Sequence, residues 1–316
     1  MRGMDILEYL MNGDPAIRWQ VMHDLTDAPT DEVAAERARV ATEGWGARML
    51  AEQGDDGLWD GGVYRPGWVD ESRPFFDAWT ATHFSLQSLM EYGLDPQSPA
   101  ARRAVGLVRD NAKWEHNGAA YFAGEAEPCI NGIALASGAY FGEDAGGIAD
   151  TLLATQHEDG GWNCWEEDLA TPGSFHSTIC ALEGLWMWEQ VAGGSERLRA
   201  ARRSGEEYLL ERRLFRRRSD GTIPDVRMTM TSVPWRWFYD VLRGLEYMRT
   251  ARPERDPRCA EAVELIRGKR LANGLFPFEN HHEGPMLFAM DGEHDGFPSR
   301  WVTLRAMRVL RWWDDA

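Results

Sequence analysis

Long hydrophobic runs are missing from this chain of 316 residues, none approaching the roughly 20 apolar residues of a bilayer-spanning helix. Basic charge is also scarce. Lys and Arg total 34 against 51 Asp and Glu, a formal charge of −17, so the chain lacks the basic face that releases counterions from nucleic acid. The same charge disfavours anionic membranes. The one basic stretch, Arg212 to Arg218, reads as a solvated helix end. Cysteines number four (Cys129, Cys164, Cys180 and Cys259), scattered along the chain, and a large intracellular core needs no disulfides. The opening MRGMDILEYLMNGD has no basic flank, extended apolar stretch or small-residue cleavage site, so a cytoplasmic location is expected.

What is present is a globular composition, 43% hydrophobic and 27% charged, with fifteen tryptophans. So many large rings imply extensive buried contact and an aromatic-lined cavity. The chain also repeats. An Asx-Gly turn recurs at Asp56-Gly57, Asn117-Gly118, Asp159-Gly160, Asp220-Gly221 and Asn273-Gly274, spaced roughly 40 to 60 residues apart, enough for two helices and their connections. Residues 194–213 form an amphipathic helix with Leu198, Ala201, Gly205, Tyr208 and Leu209 on one face, suiting an outer ring. Apolar helices are expected at 15–25, 75–91, 129–141, 174–190, 234–250 and 298–313. They share a register: Leu86-Gln-Ser-Leu89, Leu182-Glu-Gly-Leu185, Leu242-Arg-Gly-Leu245 and Leu304-Arg-Ala-Met307. Asp14-Pro15, Ser98-Pro99 and Asp256-Pro257 mark helix starts. The expected fold is all-α, a single α/α toroid over residues 1–316, with about six hairpins in inner and outer rings.

The long connections (54–74, 113–128, 158–173, 214–233 and 271–297) all precede inner helices and would share one rim. Six residues before the register Leu stand Thr80, His176, Arg236 and Pro298, and Cys129 in the helix aligned on Leu135. Glu127, Cys129 and His176 could therefore offer three corners of a tetrahedral zinc site. They equally suit a surface Glu, a buried Cys and a capping His. The same layer holds Asp77, Trp79 and His83, then Arg236, Trp237, Tyr239 and Asp240, then Arg300 and Trp301. The arginines could bind an anionic group, and the tryptophans could cover apolar substrate or stabilise a cation. Asp240, Tyr239 and His83 are the candidates for proton transfer. Taken singly, Trp237, Trp301 and Tyr239 also suit plain packing. The loop 277–297 concentrates His281, His282, Glu283, Asp291, Glu293, His294 and Asp295, as a lid, a second metal site, an acid–base reservoir or a solvated loop.

Two turns, Gln53-Gly-Asp-Asp-Gly57-Leu-Trp59 and Gln156-His-Glu-Asp-Gly160-Gly-Trp162, fit Q-x-x-x-G-x-W, the repeat signature of squalene and oxidosqualene cyclases. Over nearly its whole length the chain resembles the terpenoid cyclase and protein prenyltransferase α/α-toroid superfamily. It departs from the cyclases in lacking their D-x-D-D acid motif and room for their second barrel domain. Protonation-initiated squalene cyclisation is accordingly not expected. Glu127-Pro-Cys129 and Phe175-His176-Ser177 look similar to the zinc-binding D-x-C and Y-H-T-like elements of prenyltransferase β-subunits, with Glu in place of Asp. That resemblance implies Zn2+, although the partner α-subunit is absent from this bacterial-looking chain.

Three functions follow as expectations. The first is an enzyme acting on an isoprenoid or similar apolar, or anionic-headed, small molecule in a Trp-lined cavity, assisted by zinc. The second is a carbohydrate-processing barrel using paired carboxylates among Asp77, Asp240, Glu279 and Asp291. The third is a non-catalytic toroid that binds a partner.

Overall fold

Helices begin where the sequence marks them. Asp14 accepts the Ala16 N–H (2.9 Å) and Ser98 that of Ala101 (3.2 Å), each ahead of a proline in the first turn. Asp256 caps the Arg258 N–H at 2.9 Å in the same way, but opens a 3-10 turn that leads into the next helix. The structure, a computed structural model, describes residues 5–69, 78–165, 169, 171–252, 254–290 and 292–315. Its helices are α1 (Ile6–Met11), α2 (Pro15–Leu25), α3 (Thr30–Ala38), α4 (Gly44–Ala51), α5 (Thr82–Tyr92), α6 (Pro99–Asn111) and α7 (Pro128–Phe141). They continue as α8 (Gly146–Ala154), α9 (Phe175–Ala192), α10 (Glu196–Glu211), α11 (Val241–Ala251), α12 (Ala260–Gly268) and α13 (Arg300–Asp314). Extended pairing among the described residues is confined to isolated bridges, and none of these helices is long and apolar enough to cross a membrane. The fold class is all-α, with the alternation of outer and inner helices expected of an α/α toroid.

The chain divides into two compact units. One comprises Gly46–Tyr208 with Glu283–Phe288. Here α5, α7 and α9 pack in succession, and the α7–α9 pairing is the most extensive in the molecule. Nearly all of α7 is buried, as an inner helix requires. Small residues permit the close approach: a Cβ added to Gly132 would stand 2.2 Å from the Cys180 carbonyl, and one on Gly184 would stand 2.4 Å from the Gly132 oxygen. The other unit comprises Met1–Trp45, Leu209–His282 and Ala289–Ala316, where α13 packs against α2, α11 and α12.

The two Q-x-x-x-G-x-W turns of the first unit are built identically. Gln53 Nε2 donates to the Gly57 and Ala104 carbonyls (2.8 and 2.9 Å), and Gln156 Nε2 to those of Gly160 and Ala201 (2.7 and 2.8 Å). The buried indoles of Trp59 and Trp162 donate to Met49 and Leu152 carbonyls at 2.7 and 2.8 Å. Their backbone N–H groups donate to Thr82 and Thr178 hydroxyls. Glycine is required at Gly57 and Gly160, where φ is +86° and +87° and a Cβ would strike the next outer helix at Leu107 or Ser204.

In the second unit the Asn273-Gly274 turn keeps part of this scheme, its Phe276 N–H donating to the Thr303 hydroxyl at 3.0 Å. Thr303 is thus the counterpart of Thr82 and Thr178, which makes Met307 rather than Leu304 the counterpart of Leu86 and Leu182. The sequence register was slipped by nearly one turn there, because a repeat of Leu at helical spacing looks alike one turn on. Trp301, not Pro298, occupies the rim-layer position. The helix expected at 234–250 begins only at Val241, leaving Arg236, Trp237, Tyr239 and Asp240 in the segment ahead of it. The basic stretch is partly buried at Arg212, Leu214 and Phe215, while Arg216 and Arg213 pair with Glu261.

Candidate functional site

Several of the residues singled out in the unit containing α11 and α13 are engaged by contacts within that unit. Asp240 is the α11 N-cap. One carboxylate oxygen accepts from Ser232 N–H and hydroxyl (3.1 and 2.6 Å) and the Trp235 indole (3.0 Å), and the other from the Arg243 N–H (2.9 Å). Burial still holds its pKa above the ordinary value against those bonds. Tyr239 donates to the Leu214 carbonyl at 2.5 Å. Arg236 is buried at φ +55°, and its carbonyl accepts from Arg243 at 3.2 Å. Trp237 stacks on Phe238 at 3.8 Å, and Phe238 on His282 at 3.9 Å. Arg300 donates to the Tyr9 carbonyl (3.0 Å) and lies over the Tyr9 ring; Trp301 is 1% exposed and stacks with Trp45.

The 277–297 loop divides its duties similarly. Its two ends are joined, Phe278 N–H donating to the Phe297 carbonyl and Gly296 N–H to the Phe278 carbonyl. Glu293 accepts the Arg300 and Trp301 N–H groups at the start of α13 (2.9 and 3.2 Å), and burial pushes its pKa up to about 6. Glu279 accepts from Thr231 and Lys269. Asp77 and Asp291 lie outside the described residues.

The unit containing α5, α7 and α9 is arranged differently. His83 is fully buried on α5, its Nδ1 3.0 Å from the Tyr121 hydroxyl and its ring against Tyr64, Phe84 and Trp114. Burial drops its pKa to about 3, so the imidazole is neutral. Trp79 is buried too; its indole and N–H donate to the Glu283 and Pro285 carbonyls at 2.7 and 2.9 Å.

Beside these aromatics lies a cavity of about 590 Å³. Tyr64, Trp114, Ile130, Pro66 and Val69 give it apolar wall, and Glu115, Glu125, Glu127, Arg65 and His116 give it polar wall. Among the described residues Glu127 is the one sequence candidate that lines it, and Trp114 the one tryptophan. Trp59, Trp162 and Trp301 are buried in the core. Glu115 shapes the wall, its carboxylate gathering the successive N–H groups of Val63, Tyr64 and Arg65 at 2.7, 3.1 and 3.3 Å. Burial raises the Glu127 pKa, helped by the neighbouring Glu125.

Glu127 precedes α7, Cys129 is in its first turn, and Cys164 reaches the same point from the loop two residues past Trp162. The sulfurs of Cys129 and Cys164 are 2.9 Å apart, and Glu127 Oε2 is 3.7 Å from Cys129. The three ligand atoms lie within 4.8 Å of one another, the one such donor group among the described residues. Hydrogen bonding to Cys164 and burial raise the Cys129 pKa well above the usual thiol range. Two of the four cysteines scattered in sequence, Cys129 and Cys164, are thus adjacent in space, and all four are free thiols. His176 is not a member of the group. The next residue, Ser177, is the one that meets Cys164, its hydroxyl 3.2 Å from the sulfur; one residue earlier lies about 100° around the helix. Sequence reasoning missed Cys164, Tyr64, Trp114 and Glu115. The first carried a signal, a scarce residue just past a repeat turn in a rim loop; the others carried none.

No protein-family model and no curated protein matches the chain. Among solved structures it is similar to the type II terpene cyclase MstE from Scytonema (16% identity, 94% of this chain and 87% of that one, TM-score 0.45). It is similar also to a single-site variant of that enzyme (15% identity, 95% and 87%, TM-score 0.47). At these scores the likeness assigns no reaction.

Proposed function

We propose that this chain is an enzyme acting on an apolar, isoprenoid-like small molecule in the cavity beside Glu127. The observation that carries the reading is the lining itself: a volume of about 590 Å³, within the roughly 300–1,000 Å³ of small-molecule sites, combining the Tyr64 and Trp114 rings with glutamates. Aromatic faces and carboxylates together favour positive charge on a carbon skeleton. Arg300, a sequence candidate for an anionic head, donates instead to the Tyr9 carbonyl, and Arg65 is the arginine on the cavity wall. Tyr64 and Trp114 would bind the skeleton, and Glu115 would hold the 63–65 backbone against it.

The zinc implied by the family resemblance matches the donor types present, one carboxylate oxygen and two sulfurs within 4.8 Å, and the sulfurs, 2.9 Å apart, would spread to about 3.8 Å to take two tetrahedral Zn–S bonds. Bound by Glu127, Cys129 and Cys164, it would polarise a substrate group or activate a nucleophile. Of the carboxylates named for the carbohydrate reading, Asp240 and Glu279 spend oxygens on the fold, and Asp77 and Asp291 lie outside the described residues.

Incubation of the full chain with isoprenoid alcohols and hydrocarbons of graded length tests the proposal. Saturable thermal stabilisation and a new product by mass spectrometry are expected, both reduced in Trp114→Leu. Stabilisation by oligosaccharides alone, or by no small molecule, would replace it with the carbohydrate or the binding-module reading.

A further inference from the structure

We propose that Cys164, rather than His176, is the third protein donor of a zinc-binding cluster formed with Glu127 and Cys129. The inference deepens the zinc reading above and stands on separate geometry. Cys164 Sγ lies 2.9 Å from Cys129 Sγ, and the carboxylate of Glu127 closes the group. Two further donors are aimed at the Cys164 sulfur itself. The Cys129 backbone N–H points to it at 3.3 Å and the Ser177 hydroxyl at 3.2 Å. N–H and O–H bonds to sulfur are the contacts that orient and stabilise a metal-bound thiolate.

The Cys129 N–H is also one of the first-turn donors of α7 that have no helix carbonyl to bond, where the helix dipole favours negative charge. Two elements thus converge on one sulfur: the first turn of α7 supplies Cys129 and its N–H, and the first turn of α9 supplies Ser177. His176 has no part in this convergence. Two thiolates and a carboxylate select a borderline-soft divalent ion over magnesium or calcium. Glu127 also lines the cavity, which links the ion to whatever binds there.

Zinc-free, reduced full-length chain titrated with Co2+ tests this without any substrate. A single cobalt per chain is expected, with a thiolate-to-cobalt charge-transfer band of two-thiolate intensity. Cys164→Ser should reduce that intensity to one thiolate and weaken affinity by more than the roughly 100-fold that loss of an outer-shell partner costs. His176→Ala should change neither. X-ray absorption of the unmodified zinc-loaded protein reads the sulfur count independently if the Cys164 variant does not fold. The inference is overturned if His176→Ala abolishes binding while Cys164→Ser does not. It is equally overturned if the reduced protein binds no cobalt, or if mass spectrometry finds Cys129 and Cys164 joined as a disulfide in the metal-binding protein. Metal binding without any response to isoprenoids would sink only the substrate reading; isoprenoid turnover by protein that binds no cobalt would sink only this one.

Discussion

The segments before α7 and before α11 were both rich in candidate chemistry, yet the fold uses them oppositely. Ahead of α11, Asp240 and Tyr239 give their polar atoms to Ser232, Trp235, Arg243 and Leu214. Ahead of α7, Glu127 lines a cavity and meets two thiols. A buried polar group with its bonds made by backbone is a structural device, since breaking it strands several partners. One that shares a cavity wall is available to a ligand. Residue type does not distinguish the two; the partners do.

The sharpest break of that contrast is Asp240→Ala. It orphans the Ser232, Trp235 and Arg243 donors in a dry site, and about 3–5 kcal/mol of stability should be lost. Denaturant unfolding measures this, and ligand affinity of the folded fraction should not change. An Asp240→Ala protein of normal stability but altered ligand affinity would overturn the structural assignment.

Acid should expose the other unit through His83. Its folded pKa, about 3, lies below the ordinary 6.5, so its contribution is present above 6.5 and is lost as pH falls toward 3. At ~1.4 kcal/mol per pH unit the full loss is on the order of 5 kcal/mol. His83→Phe should flatten the stability profile in that window; an unchanged slope would refute it. Glu293 works in the opposite direction. Its folded pKa is raised to about 6, so its contribution is complete below the ordinary 4.5 and declines as pH rises through 6. The decline should reach about 2 kcal/mol and be absent in Glu293→Gln. The smallest stability effect belongs to Glu127→Gln, within about 0.5 kcal/mol because its carboxylate is half-buried and holds no helix cap. That variant should nonetheless lose cobalt affinity; unaltered cobalt binding would remove Glu127 from the cluster.

Much of the fold was legible in sequence because its signals are local. Asx-Pro caps, Asx-Gly turns and Leu spacing depend on a handful of neighbouring residues, and Asp14, Ser98, Gly57 and Gly160 act as they foretell. The register failed at α13, where periodicity alone cannot tell Leu304 from Met307. The hydrogen bond from Phe276 to Thr303 decides it. At the site, Glu127 and Cys129 were legible as a pair two residues apart.

The third donor was not, because which residue of α9 turns toward α7 depends on helix rotation. Ser177 took the facing position that meets Cys164, and His176 is not a member of the donor group. The sequence by itself determined that the chain is helical, where its hairpins turn, and which loops are long. Only tertiary structure decided which polar groups are consumed by the fold and which meet at a cavity. Local signals need only neighbours in the chain, whereas the partners of a buried carboxylate or thiol come from residues brought together by packing.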